Sequence, residues 1–479
     1  MTSTHSHTSS NKTSNAPQGI LKTQGSNIVN AEGKPVLLHG VGLGGWMNME
    51  NFITGYPANE AAQRNAIRNV LGEEKYEYFF DRFLEYFFGP DDAKFLATNG
   101  MNLLRLPINY RHFESDMDPF VIKEEGFKHL DRVIELCAQH HIYTIIDLHA
   151  LPGYQNQEWH SDNPTHVALF WQHKHFQDRV VNLWEAIATR YKDNPWVAGY
   201  NPINEPGDPG GEMLAKVYKR IADAIRAIDP DHILYLDGNR YSLDFEMFTE
   251  LIPNAVYTTH DYAVPGFVDG GPYPGTSRGE YFDKAALETA FLRRTQFMRE
   301  RNSPIWIGEW GPVYRGEPAA DKMRYQILDD QLDIYKKYGN IHWSIWTYKD
   351  IGLQGFVYTA NDSPWKQRLQ SFVEKKARLG VDSWGSVDDH VRDVIQPIED
   401  LFAREFPNYN PFPFGQPWAI KRLVRHILMA EPMVQEFGEL FRGLDFKDID
   451  TLLQSFSFQQ CTQRTELMTR MAQHPGSNG

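Results

Sequence analysis

Eight short apolar runs recur along the chain, at Val36–Val41, Met101–Leu106, Tyr143–Leu148, Val197–Ile203, Ile233–Leu236, Ala255–Thr259, Ile305–Ile307 and Ile341–Ile345. Most are continuously hydrophobic rather than alternating, the pattern of strands covered on both faces. Segments with helical spacing separate them, over 60–98, 123–140, 165–192, 211–229, 284–301 and 320–338. In 211–229 the residues Leu214, Val217, Ile221, Ile225 and Ile228 share one face, and Asp229-Pro230 ends the pattern. The stretch 242–253, between the fifth and sixth runs, is less clear.

A strand and a helix alternating eight times predict an α/β protein, a (β/α)8 TIM barrel. An open doubly wound sheet would need a glycine-rich phosphate turn after its first strand. Gly42-Leu43-Gly44-Gly45 stands at that place but lacks the spacing and the acidic partner, and it reads as a tight turn beneath a ligand site. After about residue 380 the character changes. Pro407, Pro411, Pro413 and Pro417 punctuate an aromatic loop, and helical patterns run over 418–443 and 447–472. The expected organisation is a disordered tail over 1–18, a barrel over 19–380 and a mainly helical C-terminal extension over 381–479.

Barrel strands present their functional residues at their C-terminal ends. The polar residues found there are Arg105 after the second run, His149 after the third, Asn204 and Glu205 after the fourth, His260 and Tyr262 after the sixth, Glu309 after the seventh and Trp346 after the eighth. Two carboxylates facing one site suit glycosidic-bond hydrolysis, and a retaining enzyme holds them about 5–5.5 Å apart. Glu205 is then the acid/base, with a pKa expected to be raised so that it keeps its proton. Glu309 is the nucleophile, with Arg105 and Tyr262 as its donors. Asn204 bonds the sugar 2-hydroxyl, and His149 and His260 bond substrate or orient the carboxylates. Trp346 supplies a flat floor, and Trp310, beside Glu309, is the best candidate for a second sugar platform. Asp147 reads as a hydrogen-bonding support. A catalytically inactive glycan-binding barrel would have lost a carboxylate, and both are present. Transglycosylation stays open, because an acceptor sugar can replace water.

The formal net charge of −14 argues against nucleic acid or an anionic membrane as partner, since both need a basic face. No run of about 18 apolar residues occurs, so no membrane span is expected. Residues 1–18 lack the basic start and apolar core of a secretory signal, which together with two cysteines predicts a cytoplasmic protein. Cys137 lies on an apolar helix face with Phe127, Leu130 and Ile134 and reads as a buried thiol. His173-Lys174-His175 falls at a helix start, not a strand end, and reads as solvated or capping. No metal site and no cofactor are expected, and the partner is an oligosaccharide or small glycoside.

Taken together, Arg105, His149, Asn204, Glu205, His260, Tyr262, Glu309 and Trp346 resemble the signature of glycoside hydrolase family 5, over roughly residues 35–350. The resemblance implies a retaining barrel with its acid/base on strand four and its nucleophile on strand seven. Gly40 to Trp46, with Glu50 and Thr54, and Asp147 to Asn156 are similar to the fungal exo-β-1,3-glucanases of that family. In those enzymes the glutamate matching Glu50 contacts the terminal sugar, which implies an exo-acting pocket for β-glucosides or short β-glucans. The sequence Gln157-Glu158-Trp159-His160 departs from the glucanase continuation, and the last hundred residues have no glucanase counterpart. An intracellular branch of the family that removes β-mannose from Man-β1,4-GlcNAc fragments is the alternative.

Overall fold

The computed structural model describes residues 19–479, so the tail over 1–18 lies outside the described residues. Eight parallel strands close into a barrel in sequence order: β1 (His39–Gly42), β2 (Leu103–Asn109), β3 (Tyr143–Ala150), β4 (Val197–Asn201), β5 (Ile233–Asp237), β6 (Ala255–His260), β7 (Ile305–Glu309) and β8 (Ile341–Ile345). The last strand pairs with the first in the register Trp343↔His39. All eight apolar runs therefore contribute a barrel strand. The first apolar run begins before its barrel strand. Pro35–Val36 pairs antiparallel with Asn27–Val29, and the barrel strand begins at His39. The fourth run stops at Asn201, where Pro202 brings no N–H to the ladder.

Alternation along the strands sends every second side chain inward. Leu103, Tyr143, Ile145, Ala198, Ile233, Tyr235, Val256 and Trp306 fill the lower barrel, and Leu21, Ile28, Val36 and Leu38 from the N-terminal hairpin join them to close that end. This apolar plug fills one end, and the inward residues nearer the opposite mouth are polar.

The helical segment 60–98 resolves into three helices, Glu60–Leu71, Glu73–Phe87 and Pro90–Thr98, interrupted at Gly72 and at Phe88-Gly89. The unclear stretch after β5 contains no helix. A four-residue turn, Asn239–Ser242, leads into it, with Arg240, Tyr241 and Ser242 all at positive φ.

The C-terminal region is mainly helical, with helices Arg392–Glu405, Gln416–Arg422, Ala430–Glu439, Phe446–Leu453 and Thr465–Met471. It does not stand apart from the barrel. Phe437, Phe441, Leu452, Phe456, Leu467 and Met471 belong to the same buried core as Phe79, Phe83 and Trp365. Phe441 meets Phe79 edge-on at 5.5 Å, and Phe456 meets Phe83 at 5.1 Å. Strand Cys461–Gln463 pairs with Val357–Thr359, and Ser477 bridges to Leu37 below β1. The segment thus wraps the barrel from mouth to base. Cys137 is buried in helix Phe127–Gln139, and neither cysteine is paired. Among the described residues no helix is long and apolar enough to cross a membrane.

Candidate active site

At the C-terminal mouth the strands bring seven of the eight predicted strand-end positions into one hydrogen-bonded network, and the eighth, Trp346, stacks against it. Arg105, on β2, is fully buried. It donates through Nη1 to Glu309 Oε1, and through Nη2 to Asn204 Oδ1 and, at 3.1 Å, to Asn201 Oδ1. Asp147 Oδ2 lies 3.1 Å from the same guanidinium. Tyr262 donates its hydroxyl to the other Glu309 oxygen at 2.9 Å. Both Glu309 oxygens are therefore held by donors.

His149 sits between Asp147 and Asn204. Its Nδ1 is 2.8 Å from Asp147 Oδ2, and its Nε2 is 3.2 Å from the Asn204 amide nitrogen. Burial holds its pKa well below the ordinary histidine value, so the ring is neutral, donating to Asp147 and accepting from Asn204. Asp147 has the supporting role read from the sequence. Trp346 lies nearly parallel to His149, at 5.6 Å between centroids and 8° between planes. Its indole passes so close to β1 that a Cβ on Gly42 would fall 2.6 Å from it, and one on Gly44 2.3 Å. These glycines leave room for the ring as well as making the turn.

Glu205 follows β4 at φ +43°, a left-handed conformation that non-glycine residues rarely adopt. Asp237 Oδ2 accepts from its N–H at 2.9 Å, and the Asn156 amide donates to its carbonyl at 3.0 Å. Such locally strained backbone persists only where surrounding bonds fix it. The side chain lies between two imidazoles. His260 Nδ1 is 2.6 Å from Oε1, and His160 Nε2 is 3.1 Å from Oε2. Burial by itself would raise this carboxyl. The charge of His260 and the bonds from both histidines outweigh it and hold Glu205 well below the usual carboxylate range. This corrects the expectation of a raised Glu205 pKa. Burial disfavours the charge on His160, but Glu205 overcomes this and lifts it to about 9, and His260 is raised by Glu309 and Glu205 in the same way.

Glu50 stands after the β1 turn, buried, with Oε1 lacking any hydrogen-bond partner. Burial pushes its carboxyl up to about 8. His149 Nε2 is 3.9 Å away. An unpartnered buried carboxyl in a polar pocket is costly unless a ligand hydroxyl meets it.

Trp310 does not line the pocket. It is fully buried and packs edge-on against Tyr335 and Trp343, at 5.1 and 5.6 Å. One residue past inward-facing Glu309, it points to the helix layer. His173 and His175 are exposed, and His173 makes no capping bond. Besides Asn201, which ends β4, three residues at the site were not singled out from the sequence. His160 comes from an irregular loop with no period to flag it. Asp237 ends β5, where its strand-end position was the available signal. Trp384 belongs to the C-terminal segment and meets Tyr262 edge-on at 5.2 Å.

Among the described residues two groups bring three metal-ligating side chains within 4.8 Å: Glu205, His260 and Glu309, and Glu158, His166 and His426. In the first, the carboxylate oxygens are already met by Arg105, Tyr262 and the two imidazoles. In the second, Arg422 and Trp418 donate to Glu158 Oε1 at 2.7 and 3.1 Å, and the guanidinium opposes a second cation. The first group also fixes the carboxylates: an oxygen of Glu205 and one of Glu309 lie within 4.8 Å of each other.

The model of the family described as cellulase (glycosyl hydrolase family 5) matches residues 85–352. A beta-xylosidase from Phanerodontia chrysosporium is 48% identical over 462 residues, covering 93% of this chain and 96% of that protein, so the likeness runs into the C-terminal segment. A probable glucan 1,3-beta-glucosidase A from Aspergillus fumigatus is 27% identical over 357 residues, covering 67% of this chain and 84% of that protein. A solved structure described as a glycoside hydrolase shares the fold at a TM-score of 0.51 and 21% identity, over 66% of this chain and 90% of the other. The chain belongs to glycosyl hydrolase family 5 and is a β-glycosidase.

Proposed function

We propose that the protein is a retaining, exo-acting enzyme that removes one terminal β-linked sugar, xylose or glucose, from short glycosides. The observation that carries this is the close approach of Glu205 and Glu309, with an unpartnered Glu50 buried in the same pocket. Inverting enzymes keep their carboxyls about 6.5–9.5 Å apart to admit a water, and an oxygen of each carboxyl within 4.8 Å of the other supports the shorter, retaining spacing.

Glu309, oriented by its bonds from Arg105 and Tyr262, attacks the anomeric carbon as the bond to the leaving oxygen breaks. Glu205 gives that oxygen a proton drawn from its imidazole partners. In the second step Glu205 takes a proton from water, the water oxygen bonds to the anomeric carbon, and Glu309 departs. Asn204 faces the 2-hydroxyl, a contact that strengthens in an oxocarbenium-like transition state. Glu50, protonated at neutral pH, meets the far hydroxyls of the terminal ring, and this gives the exo action. The 48% identical relative is named a beta-xylosidase, which favours xylose, and the glucanase-like segment around Glu50 supports glucose.

The test is a panel of aryl β-xyloside, β-glucoside and β-mannoside, with Glu309→Ala as blank and NMR of the first-formed anomer. Turnover of the xyloside or glucoside with retained configuration, lost in the variant, is the expected result. Selective β-mannoside turnover would move the substrate to the mannosidase alternative, and an inverted product would overturn the double displacement.

A further inference from the structure

The acid/base must lie beside the leaving oxygen, so whatever departs occupies the Glu205 side of the pocket. That side is aromatic. His160, bonded to Glu205, meets the Tyr241 ring edge-on at 6.2 Å, and Tyr241 in turn lies 5.0 Å from Phe414 of the proline-rich C-terminal loop. Tyr241 is nearly buried, whereas Phe414 keeps 49% of its surface exposed.

Three features show that this wall is built in place. Arg240, Tyr241 and Ser242 are consecutive non-glycine residues in the left-handed region, which chains adopt only where neighbouring structure holds them. The Tyr241 N–H donates to the carbonyl of Pro206, next to Glu205, and its hydroxyl bonds Gln157. On the other side, the Arg240 guanidinium lies 5.3 Å over the Phe412 ring. The strained turn therefore clamps the C-terminal loop to the acid/base side of the barrel. Phe414 stands two rings from the acid/base, through Tyr241 and His160, and its half-exposed side offers a flat apolar face to a ring.

We propose that Tyr241 and Phe414 form a leaving-group subsite that takes a flat ring face, aryl or pyranose, and that the C-terminal segment thereby sets aglycone preference. This rests on the exo-glycosidase reading and adds to it the side on which selectivity is read. A small aliphatic leaving group or fluoride would gain nothing from the wall.

The test compares kcat/KM for a phenyl β-glycoside, a β-linked disaccharide and the β-glycosyl fluoride of the same sugar, in wild type, Phe414→Ala and Phe414→Tyr. In Phe414→Ala the ratio of phenyl glycoside or disaccharide to fluoride should fall about tenfold, mainly through KM, and Phe414→Tyr should restore it. A fall confined to the phenyl glycoside assigns the face to aryl groups, one confined to the disaccharide assigns it to sugars, and either supports the subsite. Ratios within twofold of wild type for both substrates would overturn it. Failure of the wild-type enzyme to hydrolyse the fluoride would instead overturn the parent reading, and this one with it.

Discussion

His160 Nε2 lies 3.1 Å from Oε2 of Glu205, the oxygen that His260 leaves free. The carboxyl is thus gripped from both sides, and its proton becomes the property of a three-membered group rather than of one residue. This changes what should be expected of the pH profile. With His160 at about 9, the alkaline limb of kcat/KM reports loss of the shared proton. In His160→Gln that holder is gone, and the limb should move to lower pH by about one unit, with kcat/KM down by about 10- to 100-fold. A pH–rate profile checks this, and an unchanged alkaline limb would remove His160 from the proton relay.

The two carboxylates should separate cleanly in mutants. Glu309→Ala should lose about 10³-fold or more in kcat on every substrate, because no other group can bond the anomeric carbon. Glu205→Ala should lose about 10²- to 10⁴-fold on poor leaving groups and much less on activated aryl glycosides. Azide should rescue Glu205→Ala to give a β-glycosyl azide, identifiable by NMR. An α-azide would exchange the two roles.

Glu50 predicts a trade between stability and activity. Its folded pKa of about 8 lies above the ordinary 4.5, so the folded state holds the proton more tightly than the unfolded state does. No penalty exists below pH 4.5. It grows as pH rises from 4.5 to about 8 and is constant above. Glu50→Gln removes it, so the variant should gain about 1–3 °C in Tm near pH 8 and nothing near pH 4. Its kcat/KM should fall about tenfold or more, from the lost sugar contact. Melting curves at the two pH values decide the matter, and equal shifts at both would show that the carboxyl carries no burial penalty.

Gly44→Ala should damage the site more than the fold. The added methyl would stand 2.3 Å from the Trp346 indole, which cannot move without disturbing its stack on His149. Displacing the floor by about 1 Å can cost on the order of 10²-fold in rate. A folded variant with near-normal kcat/KM would show that Trp346 adapts.

A chain ending at residue 380 should not fold to a soluble barrel. It would strip Phe437, Phe441, Phe456 and Met471 from the main core and uncover the edge strand Val357–Thr359. Circular dichroism and solubility of the shortened chain measure this. A cooperative melt would show that 381–479 is a dispensable addition.

The eight strands and most helices were legible because their signals are local. A strand buried on both faces must be continuously apolar, and a helix flanking a barrel must repeat its apolar residues at helical spacing. The strand-end rule then gathered Arg105, His149, Asn204, Glu205, His260, Tyr262 and Glu309 without reference to their distances. It failed at Trp310, because adjacency to Glu309 in sequence reverses the side on which a side chain emerges. It also could not reach His160 or Trp384, which arrive from a loop and from the C-terminal segment and follow no period.

The sequence by itself determined the barrel, the reaction class and which polar residues stand at the strand ends, since each depends on residue type at positions that the strand pattern numbers. Only the tertiary structure decided which groups hold the Glu205 carboxyl, which tryptophan stacks on His149 and that the last hundred residues share the barrel's core. Those depend on distances between groups far apart in the chain. Glu205 meets His160 and His260 across two loops, and electrostatic interaction follows separation in space, not along the sequence.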